Sequence, residues 1–257
     1  MAEPYSLEIR DLHTSIKDHV IHQGLSMQVL QGEIFGIVGG SGSGKTVLLN
    51  SILGLMQPQS GEIKIFGEPS EVVHNSFAYK KRMGILFQRG ALFSSLNVLQ
   101  NICVPMIEQG GLSEEDAKEI AYVKLQIVGL DAAAAEKLPE ELSGGMIKRV
   151  ALARTLALDA NLVFLDEPTS GLDPIAAEAF DQLILKLKQR LGLTVIMITH
   201  DLGSLAICDH IGVILDKKMI TGTLEEIQQN PHPWVQEYFS GARSQALKRE
   251  KTVEEIK

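Results

Sequence analysis

The residues Gly39, Gly40, Ser41, Gly42, Ser43, Gly44, Lys45 and Thr46 match G-x-x-x-x-G-K-[ST], between a continuously apolar run at 34–38 and a helical run at 47–53. These residue types at this spacing suit one chemistry. The glycines let backbone N–H groups curl round phosphate oxygens, Lys45 adds a compact positive charge for the outer phosphates, and the Thr46 hydroxyl can ligate Mg²⁺. A second set lies at 162–167, where an apolar run ends in Asp166-Glu167. A strand there delivers two carboxylates to its carboxyl end, where ligands of open α/β sheets bind. Asp166 is expected to hold Mg²⁺ through its water shell, and Glu167 to accept a proton from an attacking water. Alone the pair reads as a solvated acidic turn; beside a phosphate loop that becomes the weaker reading. The third set is Leu142-Ser143-Gly144-Gly145-Met146. Ser143 is placed to cap a helix whose start, opened by Gly144 and Gly145, can approach an anion. One phosphate loop already surrounds a triphosphate from one side, so a second anion-binding helix start implies two subunits closing head to tail over shared nucleotide.

The elements that must carry these residues are legible as periodic patterns. Short β-branched runs at 7–9, 27–30, 34–38, 62–65, 83–87, 162–165, 194–198 and 210–215 read as strands. Three of them, 34–38, 162–165 and 194–198, are apolar throughout, as strands covered on both faces are. Between Gln88 and Asn161 helical signals take over, with Ser113 capping a helix whose apolar residues include Ile120, Leu125 and Val128. A later helix has Asp173 as cap, Pro174 in its first turn, a stripe of Ala176, Phe180, Leu183, Leu187 and Leu191, and Gly192 as stop. The class is α/β, with a helical lobe inserted into a sheet domain. From about 230 the composition changes: Trp234, Tyr238 and Phe239 precede a charged tail, KREKTVEEIK. The aromatics fit equally a partner-docking surface or packing on their own domain.

Composition narrows the function. The 257 residues are 45% hydrophobic and 22% charged, which suits a compact unit with a sizeable core. A formal net charge of -8 argues against a nucleic-acid binder, which needs a basic face. The longest apolar runs fall far short of the roughly 20 residues that span a bilayer. MAEPYSLEIRDL lacks the basic-then-apolar pattern of an export signal, which predicts residence in the cytosol. Cys103 and Cys208 read as small core residues. His13, His19, His22, His74, His210 and His232 show no metal-ligand spacing and read as surface or packing residues.

GGSGSGKT, Gln88, LSGGM, LVFLDEP, the SGLD of 170–173 and the isolated His200 occur in the order found in ATP-binding-cassette (ABC) ATPases, which the chain resembles from about residue 5 to 229. The resemblance implies a P-loop NTPase fold with a RecA-like core, an antiparallel β subdomain and an inserted α-helical subdomain. It assigns 1–229 to the ATPase domain, with 1–87 and 162–229 as α/β core and 88–161 as helical subdomain, and leaves 230–257 as a C-terminal extension. It implies ATP and Mg²⁺ as cofactors and a second copy of the chain as partner. By the same resemblance Gln88 senses γ-phosphate and Mg²⁺, Ser143, Gly144 and Gly145 contact the other copy's ATP, Glu167 is the general base, Asp173 links the two sites and His200 contacts γ-phosphate. Read without the family, His200 would simply end its strand and cap the next turn.

Two departures stand out. The family's adenine-stacking aromatic falls near Thr14, which cannot stack, leaving His13 or His19 as substitutes; Met146 replaces the commoner Gln. The segment LFQRGALF at 86–93, together with LSGGM, is similar to ATPases of phospholipid transporters of the Mla (maintenance of lipid asymmetry) type, which work with MCE-domain proteins. That implies a transmembrane permease of MlaE type, a small STAS-domain protein, and a place on the cytoplasmic face of the inner membrane. Here the strand at 83–87 would deliver Gln88 to the phosphate site, and 89–93 would begin the helical lobe facing the permease. ATPases of other importers, such as those for polar amino acids, and non-transport ABC ATPases of DNA repair or translation remain the alternatives.

Overall fold

The computed structural model describes residues 4–240. In chain order it contains β1 (Tyr5–Ile16), β2 (His19–Leu30), β3 (Ile34–Gly39), α1 (Lys45–Ile52), β4 (Ser60–Ile65) and β5 (Glu68–Pro69). Two short helices, α2 (Ser70–Asn75) and α3 (Phe77–Lys80), lead to β6 (Met83–Leu86). Helices α4 (Val98–Glu108), α5 (Glu114–Ile127) and α6 (Gly144–Thr155) follow, then β7 (Leu162–Asp166), α7 (Pro174–Leu191) and β8 (Thr194–Ile198). The described chain closes with α8 (Leu202–Leu205), β9 (His210–Leu215), β10 (Lys218–Gly222), α9 (Leu224–Gln228) and α10 (Pro233–Ser240). The described residues form two compact units, 4–70 with 199–240, and 71–198. The charged tail lies outside the described residues.

In the first unit β2, β1, β4 and β5 pair in that order as an antiparallel sheet. Leu7, Ile9, Leu12, Leu25, Met27 and Val29 turn inward from β1 and β2, while Ser26 and Gln28 face out, the alternation of a sheet with one wet face. The same unit pairs β3 with β9 in parallel and β9 with β10 antiparallel. Val38, Leu205, Ile211, Val213, Ile227, Val235 and Phe239 form a core there that ties α10 to β3 and β9. The second unit pairs β6, β7 and β8 in parallel. Every residue of β3 and β8 and the first four of β7 are buried, as continuously apolar strands require.

Several helices begin where their caps predict. Ser113 accepts from the Asp116 amide, and Asp173 accepts from Ala176 at 2.9 Å with Pro174 in the first turn. Gly192 ends α7 at φ 65°, a left-handed conformation glycine adopts freely. The apolar stripes run largely as the sequence implies, with one exposed member on each. On α5 the buried positions are Ala117, Ala121, Lys124 and Leu125, with Ile120 exposed and Val128 buried just past the helix; on α7 Phe180, Leu183, Ile184 and Leu187 are buried, and Leu191 is exposed at the last position. The segment 89–97 is also not helical: α4 starts only at Val98, where Asn97 and Gln100 form a reciprocal capping box.

Candidate functional site

In the first unit β3 runs into the glycine loop, and α1 starts on it at Lys45. Gly44 precedes the helix at φ 100°, and a Cβ there would lie 2.5 Å from Ile21 and 2.6 Å from His22 Nε2, so both conformation and space demand glycine. No side chain caps α1, which leaves its first-turn amides available to an anion. The Ser43 hydroxyl is buried with no hydrogen-bond partner among the described residues. Lys45 Nζ donates to the carbonyls of Gly39 at 2.7 Å and Gly40 at 3.1 Å, spanning the mouth of the loop. An uncapped helix start, an orphaned hydroxyl and a centred ammonium fit a phosphate chain. Thr46 is exposed on the first turn.

Beneath the loop lies a pair the sequence did not reveal. Thr14 Oγ1 and His22 Nδ1 are 2.8 Å apart, both residues fully buried, and His22 Nε2 has no partner among the described residues. Burial lowers the His22 pKa to about 4, so the ring is neutral at pH 7. Thr14 therefore faces inward and presents nothing to a base. His13 is engaged with Asp11 at 3.2 Å, and the exposed apolar side chains at the hairpin tip are Ile16 and Val20.

His200 follows β8 and is exposed. Asp201, not His200, caps α8, accepting from the Ser204 amide at 3.2 Å. The His200 carbonyl instead accepts from the Tyr238 hydroxyl at 3.0 Å. Tyr238 stacks on Trp234 with ring centroids 4.8 Å apart, and a Cβ at Gly40 would lie 3.3 Å from the Trp234 indole nitrogen. The terminal aromatics thus pack on their own unit, against the glycine loop and the His200 backbone.

The second unit holds the other candidates. Gln88 lies two residues beyond β6 and donates from Nε2 to Ser170 Oγ at 3.4 Å. Asp166 ends β7, and Glu167 follows at φ 47°, its amide donating to the Ile198 carbonyl at 2.8 Å. A left-handed non-glycine residue carries strain of order 1–3 kcal/mol, which persists only where surrounding contacts hold it. Lys148, on α6 and only 4% exposed, supplies one such contact: its Nζ donates to the main-chain carbonyls of Glu167, at 3.1 Å, and of Gln88. Burial pulls the Lys148 pKa down, against the opposing pull of the Asp166 and Glu167 carboxylates. Six residues further on, Arg154 donates to the Gly90 and Ala91 carbonyls at 2.9 and 2.8 Å and lies over the Phe93 ring.

Ser143 caps α6, its hydroxyl accepting from Met146. Cβ atoms at Gly144 and Gly145 would meet only ordinary contacts, 3.4 Å to Leu172 and 3.8 Å to Ala176. The two glycines relieve no clash; their effect is to keep the exposed helix start open. Among the described residues no three His, Cys, Asp or Glu cluster as a metal cage. Thr46, in the first unit, and Gln88 and Asp166, in the second, each carry an oxygen of the hard type that Mg²⁺ prefers. The glycine loop and His200 thus belong to one unit; Gln88, Ser143, Gly144, Gly145, Asp166 and Glu167 belong to the other.

With this geometry the chain belongs to the ABC transporter family, whose profile it matches over residues 22–170, and it is an ATP-hydrolysing ABC subunit. It is 41% identical to the intermembrane phospholipid transport system ATP-binding protein MlaF of Haemophilus influenzae over 239 residues, 91% of this chain and 90% of that one. Identity to the MlaF of Escherichia coli K12 is 39%, over 91% and 88% of the two chains. Among solved structures it is similar to cbiO1 of Clostridium perfringens, part of the transporter complex cbiONQ, with a TM-score of 0.80 and 28% identity over 96% of this chain and 100% of that one. It is also similar to the dimeric post-hydrolysis state of the cassette MJ0796 bound to ADP and Pi, with a TM-score of 0.74 and 28% identity over 85% and 98%. The fold is therefore the P-loop ABC ATPase fold with mixed α/β subdomains. Among the described residues no helix is long and apolar enough to cross a membrane.

Proposed function

We propose that this ATPase powers phospholipid transport between bacterial membranes, as a head-to-tail dimer held by a permease on the cytoplasmic face of the inner membrane. The observation that carries the cargo is similarity to the MlaF proteins along nine-tenths of both chains. By the same reading the permease is of MlaE type, a STAS-domain protein and an MCE-domain protein complete the assembly, and residues 88–161 form the helical subdomain that meets the permease.

The roles follow from the side chains. Residues 39–46 take the phosphates on backbone amides, and Lys45 exchanges the Gly39 and Gly40 carbonyls for outer phosphate oxygens. Thr46, Gln88 and Asp166 are the residues that would hold Mg²⁺, which when bound neutralises phosphate charge. Glu167 accepts the proton of the attacking water, and His200 donates to the γ-phosphate. Ser143, Gly144 and Gly145 offer the open start of α6 to the nucleotide of the second copy, and Asp173 passes the state of one site to the other. Purification from native membranes tests the cargo: a permease with bound phospholipid should accompany the chain. Recovery of DNA or ribosomes alone refutes a transporter.

A further inference from the structure

The geometry points to Lys148 as a positioning residue for hydrolysis, an ammonium that clamps the backbone of Gln88 to the backbone of Glu167 and ties both to the helix that begins at Ser143. Its Nζ donates to main-chain carbonyls of residues 60 and 19 positions away, and both residues carry candidate chemistry on their side chains. A buried ammonium persists only when hydrogen bonds and opposite charge compensate it, and here two carbonyls and the nearby Asp166 and Glu167 carboxylates do so. The acceptors matter as well. The Glu167 carbonyl also takes the Ser170 amide at 3.2 Å, and its amide is held by Ile198, so the left-handed turn that aims its carboxylate is gripped from both ends of the residue. Arg154 holds Gly90 and Ala91, so α6 fixes the segment after β6 at two places. Lys148 touches no substrate. Through main chain alone, it makes the start of α6, Gln88 and Glu167 move as one piece.

This inference rests on Glu167 acting as general base, and the experiment separates the two. ATP hydrolysis by the full chain is compared for wild type, Lys148→Met, Lys148→Arg and Glu167→Gln, with Kd for ATP and thermal unfolding measured on each. Lys148→Met should lower kcat by roughly 10²-fold, the effect of a misplacement of about 1 Å, with KM and Kd within a few-fold of wild type because the glycine loop is untouched. Lys148→Arg keeps donors enough for two carbonyls and should recover most of the lost kcat. Unchanged kcat in Lys148→Met overturns the inference. So does loss of ATP binding in parallel with turnover and unrelieved by arginine, which marks a merely structural lysine. Full turnover in Glu167→Gln refutes the general base itself; loss there with full turnover in Lys148→Met refutes only the clamp.

Discussion

The Tyr238 hydroxyl donates to the main-chain carbonyl of His200 at 3.0 Å, and the indole stacked on that tyrosine lies against Gly40 of the phosphate loop. A helix from the end of the described chain therefore supports two stretches that carry candidate site residues. Trp234 is the sole tryptophan, so its emission reports on the loop. Saturating MgATP should shift or quench it, and Tyr238→Phe should lower turnover about two- to tenfold, the worth of one hydrogen bond. Unchanged emission while ATP is bound by an independent measure would contradict the contact.

The buried His22 predicts a pH-dependent stability. Its folded pKa is depressed to about 4 from 6.5, so the unfolded chain binds the extra proton between those values. The contribution is complete above pH 6.5 and is lost as pH falls to about 4, a change of about 3 kcal/mol. Urea unfolding of wild type and of His22→Leu/Thr14→Val, which removes both partners, should differ in slope across that window. Parallel profiles would show that His22 is not buried neutral.

These two features mark the limit of what sequence conveys. The glycine loop, the Asp173 cap with Pro174 and Gly192, and the apolar strands at 34–38, 162–165 and 194–198 are local patterns, and the chain forms them as read. His22 was not legible because the period of two through Val29, Met27 and Leu25 changes phase at Gly24, φ 74°, which turns residue 22 inward. Polar residues and register shifts likewise hid the length of β1, whose pairing with β2 and β4 sets its extent. Lys148 was missed because its partners are distant in sequence; the available signal was a lysine on the same helical face as Ala151 and Leu152. The segment 89–93 is expected from sequence to begin the helical lobe, yet the side chains of Arg154 on α6 and Asn101 on α4 bond its backbone in place of helical partners.

Phe93 offers a test of coupling. Its ring is half exposed, and the backbone beneath is fixed by Asn101, which donates to the Phe93 carbonyl and accepts from its amide. Phe93→Asp should reduce co-purified permease by roughly tenfold, the effect of losing an aromatic anchor, and leave ATP affinity unchanged. Joint loss of permease and ATP binding would mean that the ring is core.

In the proposed function two copies close over ATP and Glu167 drives its hydrolysis. The most direct measurement is ATP turnover and oligomeric state of Glu167→Gln in the presence of ATP. Turnover should fall by ~10²–10⁴, the usual worth of a general base, and the variant should accumulate as an ATP-bound dimer. A monomer that hydrolyses ATP at the wild-type rate would refute both the closed dimer and the role of Glu167.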